Sequence, residues 1–427
     1  MENSDLEDEV AASGKGMQVW IVNHFALTPD QAGGTRHIEL AKELGKHDID
    51  VTIVGAGRHH ISDRDHVPEG KPFLREQVDG VRFHWIRTPS SSPKYWRRIW
   101  NNITFAFSVI RRRGLRDLPH PDIVIGTSPD LISALSAYAT SRFFGVPFVL
   151  EVRDIWPLSA VQLGYFSERH PFIIALRIIE KFLYRHADRI ITLLPDAHRH
   201  IVPSGGDPDH IVWIPNGVSI GEQPAASAYK PSADGIFTLM YAGSHGNANN
   251  LTNLLDAAKI LQQRNSSHGL SIRLVGDGPN KPMLMDYAKR HGLDFVTFEA
   301  AVPKKNVGSV LHEADAFCLV FHSMPIYRYG ISANKLFDYL AVGRPIVIAL
   351  DADYNPVSEA GAGVCVPAED PEKLADAIEN LKKVSPRERL NMAFNAQEYA
   401  RKNHSMAILG GRLSALLKSL TNPTSAK

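Results

Sequence analysis

Short apolar runs recur along this chain, each followed by a turn and then by a segment with helical spacing, and this order most constrains the fold. Gln18–Asn23 (QVWIVN), Asp50–Val54 (DVTIV), Val81–Ile86, Asp122–Gly126 (DIVIG), Pro147–Val152 (PFVLEV), Asp188–Leu194 (DRIITLL) and Ile211–Ile214 make a first series. Continuous apolar runs of this kind fit parallel strands covered on both faces, and helical segments between them supply the crossovers that parallel strands need. Segments near Thr35–Lys46, Asp130–Phe144 and Pro171–His186 fill that role. After an Ala-, Ser- and Pro-rich stretch, Gly221–Asp234, the alternation restarts with Phe237–Ala242 (FTLMYA), Ser271–Val275, Phe295–Phe298, Ala316–Phe321 and Gly361–Val366. With 427 residues, too many for one core, the reading is α/β with two doubly wound, Rossmann-like domains.

The expected boundaries are an acidic, disordered tail over 1–16, a first domain over 17–218, a linker over 219–235, a second domain over 236–400 and a C-terminal helix and tail over 401–427. Pro386–Leu420 reads as amphipathic helical sequence. The tail has no apolar segment of signal-peptide type, and no window is apolar and long enough for a membrane span. Two cysteines, Cys318 and Cys365, exclude a disulfide framework and read as free thiols in a reducing compartment, so the expected location is cytoplasmic. A formal net charge of +1 gives no global case for nucleic-acid binding. The 19 histidines form no ligand pattern: His312-Glu-Ala-Asp lacks a zincin's second histidine, and His198 and His200 have no acid or cysteine cluster around them. No required metal or cofactor is expected. Neither Gly55-Ala-Gly57 nor Gly276-Asp-Gly278 completes the dinucleotide fingerprint, which argues against hydride transfer.

Ile326–Ala349 carries the chemistry most clearly. It reads as a polar loop, a short helix, a glycine turn and a buried strand. A helix starting near Ser332 puts Asn334, Lys335 and Asp338 on one face and sends Leu336, Phe337, Leu340 and Ala341 inward. An amide, a cation and a carboxylate near a helix N-terminus suit a phosphate and a ribose, although a surface helix with an internal Lys–Asp pair has the same spacing. Gly243-Ser244-His-Gly-Asn-Ala-Asn-Asn250 precedes a helix and could cradle phosphate with backbone alone, since it holds no Lys or Arg. Gly33-Gly34 after the first strand would let backbone approach a ligand, or would form a plain tight turn. Glu151, Arg153 and Asp154 stand at the carboxyl end of a buried strand, where α/β sheets place their sites, with a structural Arg–Asp pair as the alternative. Residues 94–116 hold seven basic residues and no acid, with Trp96, Ile99, Trp100, Ile103, Phe107 and Ile110 at helical spacing. Such a helix, with Trp96, Arg97 and Trp100 leading, fits an anionic membrane surface or, alternatively, the face of a sheet.

The order of motifs resembles family-four retaining glycosyltransferases of the GT-B fold over nearly all of 17–420. It runs from the GG loop through I-P-N-G-V (214–218), the strand-G-S turn and V-G-D-G-P to K-L-F-D-Y-L-A-V-G-R-P-I-V (335–347). Asn23-His24, Gly33-Gly-Thr-Arg-His-Ile-Glu-Leu-Ala41 and Glu151-Val-Arg-Asp-Ile-Trp-Pro157 are closer to bacterial O-antigen and capsule enzymes of the N-acetyl-L-fucosamine transferase type. The resemblance implies two domains facing a central cleft and a C-terminal helix returning to the first domain. It also implies transfer of a sugar from a nucleotide-diphosphate sugar, expected to be a UDP-sugar, to a lipid-linked or glycan acceptor in cell-surface polysaccharide synthesis. Gly243, Ser244, Asn334, Lys335 and Asp338 would bind donor; Arg153, Asp154 and Lys335 would serve the reaction; Gly33, Gly34 and Glu151 would lie on the acceptor side. Asp338 stands where the family has the second glutamate of its E-x7-E motif, Gly330 where it has the first, and Arg153 where many relatives carry histidine. The family's basic residues after the strand-G-S turn are absent. A nucleotide-sugar epimerase of the same fold and a non-catalytic nucleotide-sugar-binding subunit are the alternative readings; the oligomeric state does not follow from the sequence.

Overall fold

The structure is a computed structural model that describes residues 16–31, 33–58, 65–89, 95–220 and 235–421, the side chains of Tyr95, Trp96 and Lys305 excepted. The expected tail up to residue 15 and most of the expected linker lie outside the described residues. Contacts divide the chain into two compact units: Met1–Thr28, Thr35–Pro215 and Met406–Lys427 form the first, Pro29–Gly34 and Asn216–Ser405 the second. The chain therefore passes between units at Pro215–Asn216 and at Ser405–Met406, and the GG loop groups with the second unit.

The first unit carries β1 (Met17–Val22), α1 (Arg36–Gly45), β2 (Ile49–Ala56), β3 (Phe73–Val78), β4 (Val81–Ile86) and α2 (Tyr95–Ile110). It continues with β5 (Ile123–Thr127), α3 (Leu131–Phe144), β6 (Phe148–Val152), α4 (Pro171–His186), β7 (Arg189–Thr192) and β8 (Ile211–Trp213). The strands line up as β3-β4-β2-β1-β5-β6-β7-β8, parallel throughout except for β3, which runs antiparallel to β4 at the edge. Sequence reasoning missed β3 because FLREQV is polar and only half-buried, as an edge strand can be. Strand order reverses between β1 and β5. Side chains after β1, β5 and β6 are thus delivered to the switch point of this sheet.

The second unit holds β9 (Phe237–Ala242), α5 (Leu251–Gln263), β10 (Leu270–Val275), α6 (Lys281–Arg290), β11 (Val296–Glu299), α7 (Lys304–Leu311) and β12 (Ala316–Val320). It ends with α8 (Asn334–Val342), β13 (Ile346–Ala349), β14 (Gly363–Val366), α9 (Pro371–Lys383) and α10 (Pro386–Asn403). Its sheet is fully parallel in the order β11-β10-β9-β12-β13-β14. The reversal falls between β9 and β12, so the turns after those two strands form its switch point.

The helical sequence expected over 386–420 is two helices. The break at His404–Ser405 is fixed by pairing: the Val218 N–H donates to the His404 carbonyl, and the His404 ring lies tilted by 30° at 4.4 Å from the Phe337 ring. The chain then leaves for α11 (Met406–Thr421), whose Met406, Leu409, Leu413 and Leu417 join Ile38, Ala41 and Leu44 in the core of the first unit. Gly410 allows this packing, since a Cβ there would lie 2.4 Å from the Glu43 Cβ.

All six tryptophans precede Pro215, so intrinsic fluorescence reports the first unit. Leu409 is fully buried, and Leu409→Ala is expected to lower the stability of this unit by about 2–5 kcal/mol, read as a shift of the tryptophan-detected urea transition. An unchanged midpoint would mean that α11 adds nothing to that core.

Candidate functional site

The switch point of the second unit is built around α8. Leu336, Phe337, Tyr339, Leu340, Ala341 and Val342 are buried, including all four residues the helical spacing sends inward. Gly343 stops the helix in the left-handed region at φ +71, where its N–H reaches the Tyr339 and Leu340 carbonyls. Tyr339 was not singled out by the sequence, yet it fastens the helix to the sheet. Its hydroxyl accepts from the Ala242 N–H at 2.6 Å and donates to the Ala242 carbonyl at 3.1 Å, and its ring stacks on Phe317 at 4.1 Å. At the other end, Ala333 is the N-cap and no side chain among the described residues caps the first turn. Helix N–H groups left in this way form an anion-binding end.

Lys335 lies one residue inside that end. Its ammonium donates to the Tyr241 hydroxyl at 2.6 Å and to Asn249 Oδ1 at 2.7 Å, and sits 4.5 Å from the Tyr241 ring centroid. Tyr241 and Asn249 in turn both donate to the Ser244 carbonyl, at 2.7 and 3.0 Å. The glycine turn that lacks a basic residue of its own thus receives its cation from α8. Gly243 is required by that approach: a Cβ there would come within 2.9 Å of Lys335 Cε and Nζ. Burial pushes the Lys335 ammonium down to about 7, and its acceptors Tyr241 and Asn249 are neutral and supply no compensating charge. The structure therefore brings Gly243, Ser244 and Lys335 together.

Asp338 lies one turn further along α8, with both carboxylate oxygens 2.6 Å from the Lys304 ammonium. The internal Lys335–Asp338 pair considered from spacing is thus not the arrangement found; each charge has a partner on another element. Asn334 packs against the GG loop, where a Cβ on Gly34 would meet the Asn334 amide nitrogen at 2.6 Å. Gly33 has φ +146. Gly330 has φ +95, a conformation in which the acid of the broader family would be strained. Asn216 of the I-P-N-G-V motif was read as a boundary only. It donates from its backbone N–H to Ser332 Oγ at 3.0 Å and from its amide to the Ser332 carbonyl at 2.6 Å, anchoring the entry to α8.

In the first unit, Glu151 at the end of β6 is the hub of a closed network. Its oxygens accept from Arg36 Nε at 2.9 Å and His37 Nε2 at 2.6 Å, while His37 Nδ1 faces the Asn23 amide nitrogen at 2.9 Å. Burial lowers the pKa of His37, so the neutral ring donates to Glu151 and accepts from Asn23. Burial opposes ionisation of Glu151, but His37, Arg36 and Arg153 outweigh it and hold the carboxyl well below the usual range. Arg36 also donates to the carbonyls of Ile214, at 2.8 Å, and Pro215. Sequence reasoning missed Arg36 and His37, which appeared only within the GG-T-R-H motif. Ser128 Oγ orders the following turn by accepting from the Arg153 N–H at 2.8 Å. Arg153 is half-buried and its Nε has no hydrogen-bond partner among the described residues. Burial pushes the Asp154 carboxyl up.

The stripe on α2 settles on the outer face. Asn101, Phe105, Ala106, Ser108 and Val109 turn inward, and Asn101 Oδ1 faces His24 Nε2 at 2.6 Å. Trp100 (57% exposed), Ile103, Phe107 and Ile110 face outward. Arg97 is exposed on the same helix, and the side chain of Trp96 lies outside the described residues. Arg111 covers Phe107 at 4.3 Å, and Arg112 covers the exposed Phe143 of α3 at 3.6 Å. No helix among the described residues is long and apolar enough to cross a membrane. No group of three His, Cys, Asp or Glu side chains among them is placed to hold a metal ion.

Two family models match the chain: a glycosyl transferase 4-like domain over residues 33–217 and glycosyl transferases group 1 over 236–383. A probable glycosyltransferase, WbjE of Pseudomonas aeruginosa, is 24% identical over 331 residues, 73% of this chain and 78% of that protein. Among solved structures, sucrose-phosphate synthase from Thermosynechococcus elongatus superposes with a TM-score of 0.74 at 15% identity, covering 96% of this chain and 100% of that one. HepE of Anabaena, in complex with UDP and glucose, gives a TM-score of 0.65 at 14% identity over 95% of this chain and 100% of that one. These two likenesses concern the fold, which is GT-B. With models of both halves matching in sequence order and a glycosyltransferase relative spanning most of the chain, this protein belongs to the family-four glycosyltransferases.

Proposed function

We propose that this enzyme transfers a sugar, with retention of configuration, from a nucleotide-diphosphate sugar to a lipid-linked or glycan acceptor in cell-surface polysaccharide synthesis. The observation that carries this reading is the Lys335 ammonium held beneath the Gly243–Asn249 turn, beside an uncapped helix N-terminus. A diphosphate is the anion that a half-buried cation, a glycine turn and helix amides would hold together. The UDP and glucose in the HepE complex support a UDP-sugar as donor. In the reaction, the bond from the anomeric carbon to the diphosphate oxygen breaks and the bond to the acceptor oxygen forms on the same face. The acceptor proton passes to the leaving diphosphate. Lys335 and the α8 amides stabilise the charge that gathers there. Arg153 serves the reaction in this reading, while Glu151, closed within its network, acts by positioning. No metal is invoked.

The exposed stripe of α2, with Arg97, Arg98, Arg111, Arg113 and Arg116 exposed around it, supports attachment to the anionic inner face of the plasma membrane. A lipid-linked acceptor would be met there.

Lys335→Met is expected to weaken binding of UDP about 10- to 100-fold by calorimetry, the range of a lost charge-assisted hydrogen bond. Unchanged affinity would overturn the diphosphate role. Transfer from a panel of nucleotide sugars to lipid-linked acceptors is the direct test of function; epimerised donor without transfer, or binding without turnover, would overturn it.

Binding should also be linked to protons. Lys335 titrates near 7 in the folded protein against about 10.4 unfolded, so at pH 8 it is mostly neutral, and a bound diphosphate favours its charged form. Calorimetry at pH 8 in buffers of different ionisation enthalpy should show proton uptake that Lys335→Met abolishes. The same shift makes folding stability fall as pH drops from about 10.4 towards 7, where the unfolded chain holds the proton more tightly.

Trp100→Ser with Phe107→Ser should reduce sedimentation with phosphatidylglycerol vesicles by about tenfold without changing the urea midpoint. Absence of vesicle binding by the wild type would overturn the membrane reading.

A further inference from the structure

In the second sheet β9, β12, β13 and β14 are neighbours in that order, and side-chain contacts lace together the loops that leave their carboxyl ends. His322, just beyond β12, faces the Asn247 carbonyl with Nε2 at 2.9 Å and Glu369 Oε1 with Nδ1 at 2.8 Å. Beside it Ser323 donates to Asp351 Oδ2 at 2.7 Å, and Asp351 Oδ1 accepts from the Ala368 N–H at 3.0 Å. A carbonyl oxygen only accepts, so Nε2 carries a proton towards Asn247. A ring protonated on both nitrogens donates to the Glu369 carboxylate as well.

Two observations separate this pair from an ordinary surface contact. The side chains of His322 and Glu369 are 34% and 47% exposed, so solvent screens their attraction and the pair adds little to folding stability. Glu369 nevertheless holds its backbone at φ +58, in the left-handed region that disfavours a residue with a Cβ and that glycine occupies without strain. Backbone strain at a residue whose side chain adds little stability points to a role in the site. Asn247 supplies the link. It precedes by two residues Asn249, whose Oδ1 accepts from Lys335 at 2.7 Å and whose amide nitrogen donates to the Ser244 carbonyl at 3.0 Å. Holding the Asn247 carbonyl thus holds Asn249 against the ammonium.

We propose that His322 and Glu369 form a clasp that fixes the Gly243–Asn249 turn in its binding shape, making both of them positioning residues for the diphosphate. They act through Asn247 and Asn249 on Lys335, with no contact of their own to the anion. The proposal rests on the donor reading above. It extends the site from the switch point to the loop after the edge strand β14.

The test is calorimetry with UDP, GDP and ADP on the full chain, with urea unfolding of each variant followed by circular dichroism. Glu369→Gly removes the carboxylate and relieves the backbone. It should leave the urea midpoint unchanged or raised, yet weaken the nucleotide that the wild type binds by about three- to tenfold, the worth of one hydrogen bond. His322→Ala should weaken it equally, and the double variant no further, because the two residues act as one unit. Glu369→Gln, whose amide can hydrogen-bond the ring in either protonation state, should keep affinity within about twofold of the wild type. On a Lys335→Met background Glu369→Gly should have little further effect, since the clasp acts through the ammonium. Unchanged affinity in Glu369→Gly or His322→Ala would overturn the proposal. So would an affinity loss that tracks a fall in the urea midpoint, the mark of a structural brace, or one that persists in full on the Lys335→Met background. If the wild type binds none of the nucleotides, the donor reading itself fails and the clasp fails with it.

Discussion

The ammonium of Lys335 is the interaction on which the arrangement of the second unit turns. Removing a cation from water is costly unless it is paired, and its acceptors here are a phenol and an amide, both neutral. It is kept in place because everything around it is fixed. Tyr339 locks α8 to the end of β9, Asn216 secures Ser332 at the helix entry, and Gly243 allows the turn to lie against the ammonium. An anion is the natural complement of such a group, and the helix amides beside it point to the same chemistry.

The first unit resolves its charges in the opposite manner. Glu151 is more deeply placed than Lys335, but Arg36 and His37 satisfy it and Asn23 satisfies His37 in turn. Such a network specifies geometry rather than inviting a ligand, because each partner already has its counterpart. Arg36 adds a mechanical role by gripping the last two carbonyls before the chain departs for the second unit. One sheet thus presents a cation whose acceptors, Tyr241 and Asn249, are neutral, the other a carboxylate that orders its surroundings.

Much of this is legible in the sequence. The buried strands and crossover helices declared themselves through periodicity, and the inward face of α8 through the positions of Leu336, Phe337, Leu340 and Ala341. Less visible were features set by tertiary pairing. The edge strand β3 is too polar to register as a strand. The break at His404 follows from a backbone bond with Val218, and no local breaker residue announces it. At the site, residue types were readable but partners were not. The spacing of Lys335 and Asp338 suggested each other, whereas Tyr241, Asn249 and Lys304 are far along the chain. For α2 the helical periodicity holds, but only packing shows that Asn101 and Phe105 take the inner face and leave Trp100, Ile103, Phe107 and Ile110 outside.

The placement of α11 has a consequence for how the protein is made. Its leucines complete a core whose other members, Ile38, Ala41 and Leu44 among them, leave the ribosome several hundred residues earlier. During synthesis α1 must wait with part of its apolar face uncovered while the whole second unit emerges and folds. Its last covering arrives only after the second unit has been made, and in that interval the uncovered apolar face is open to chaperone capture or misassembly.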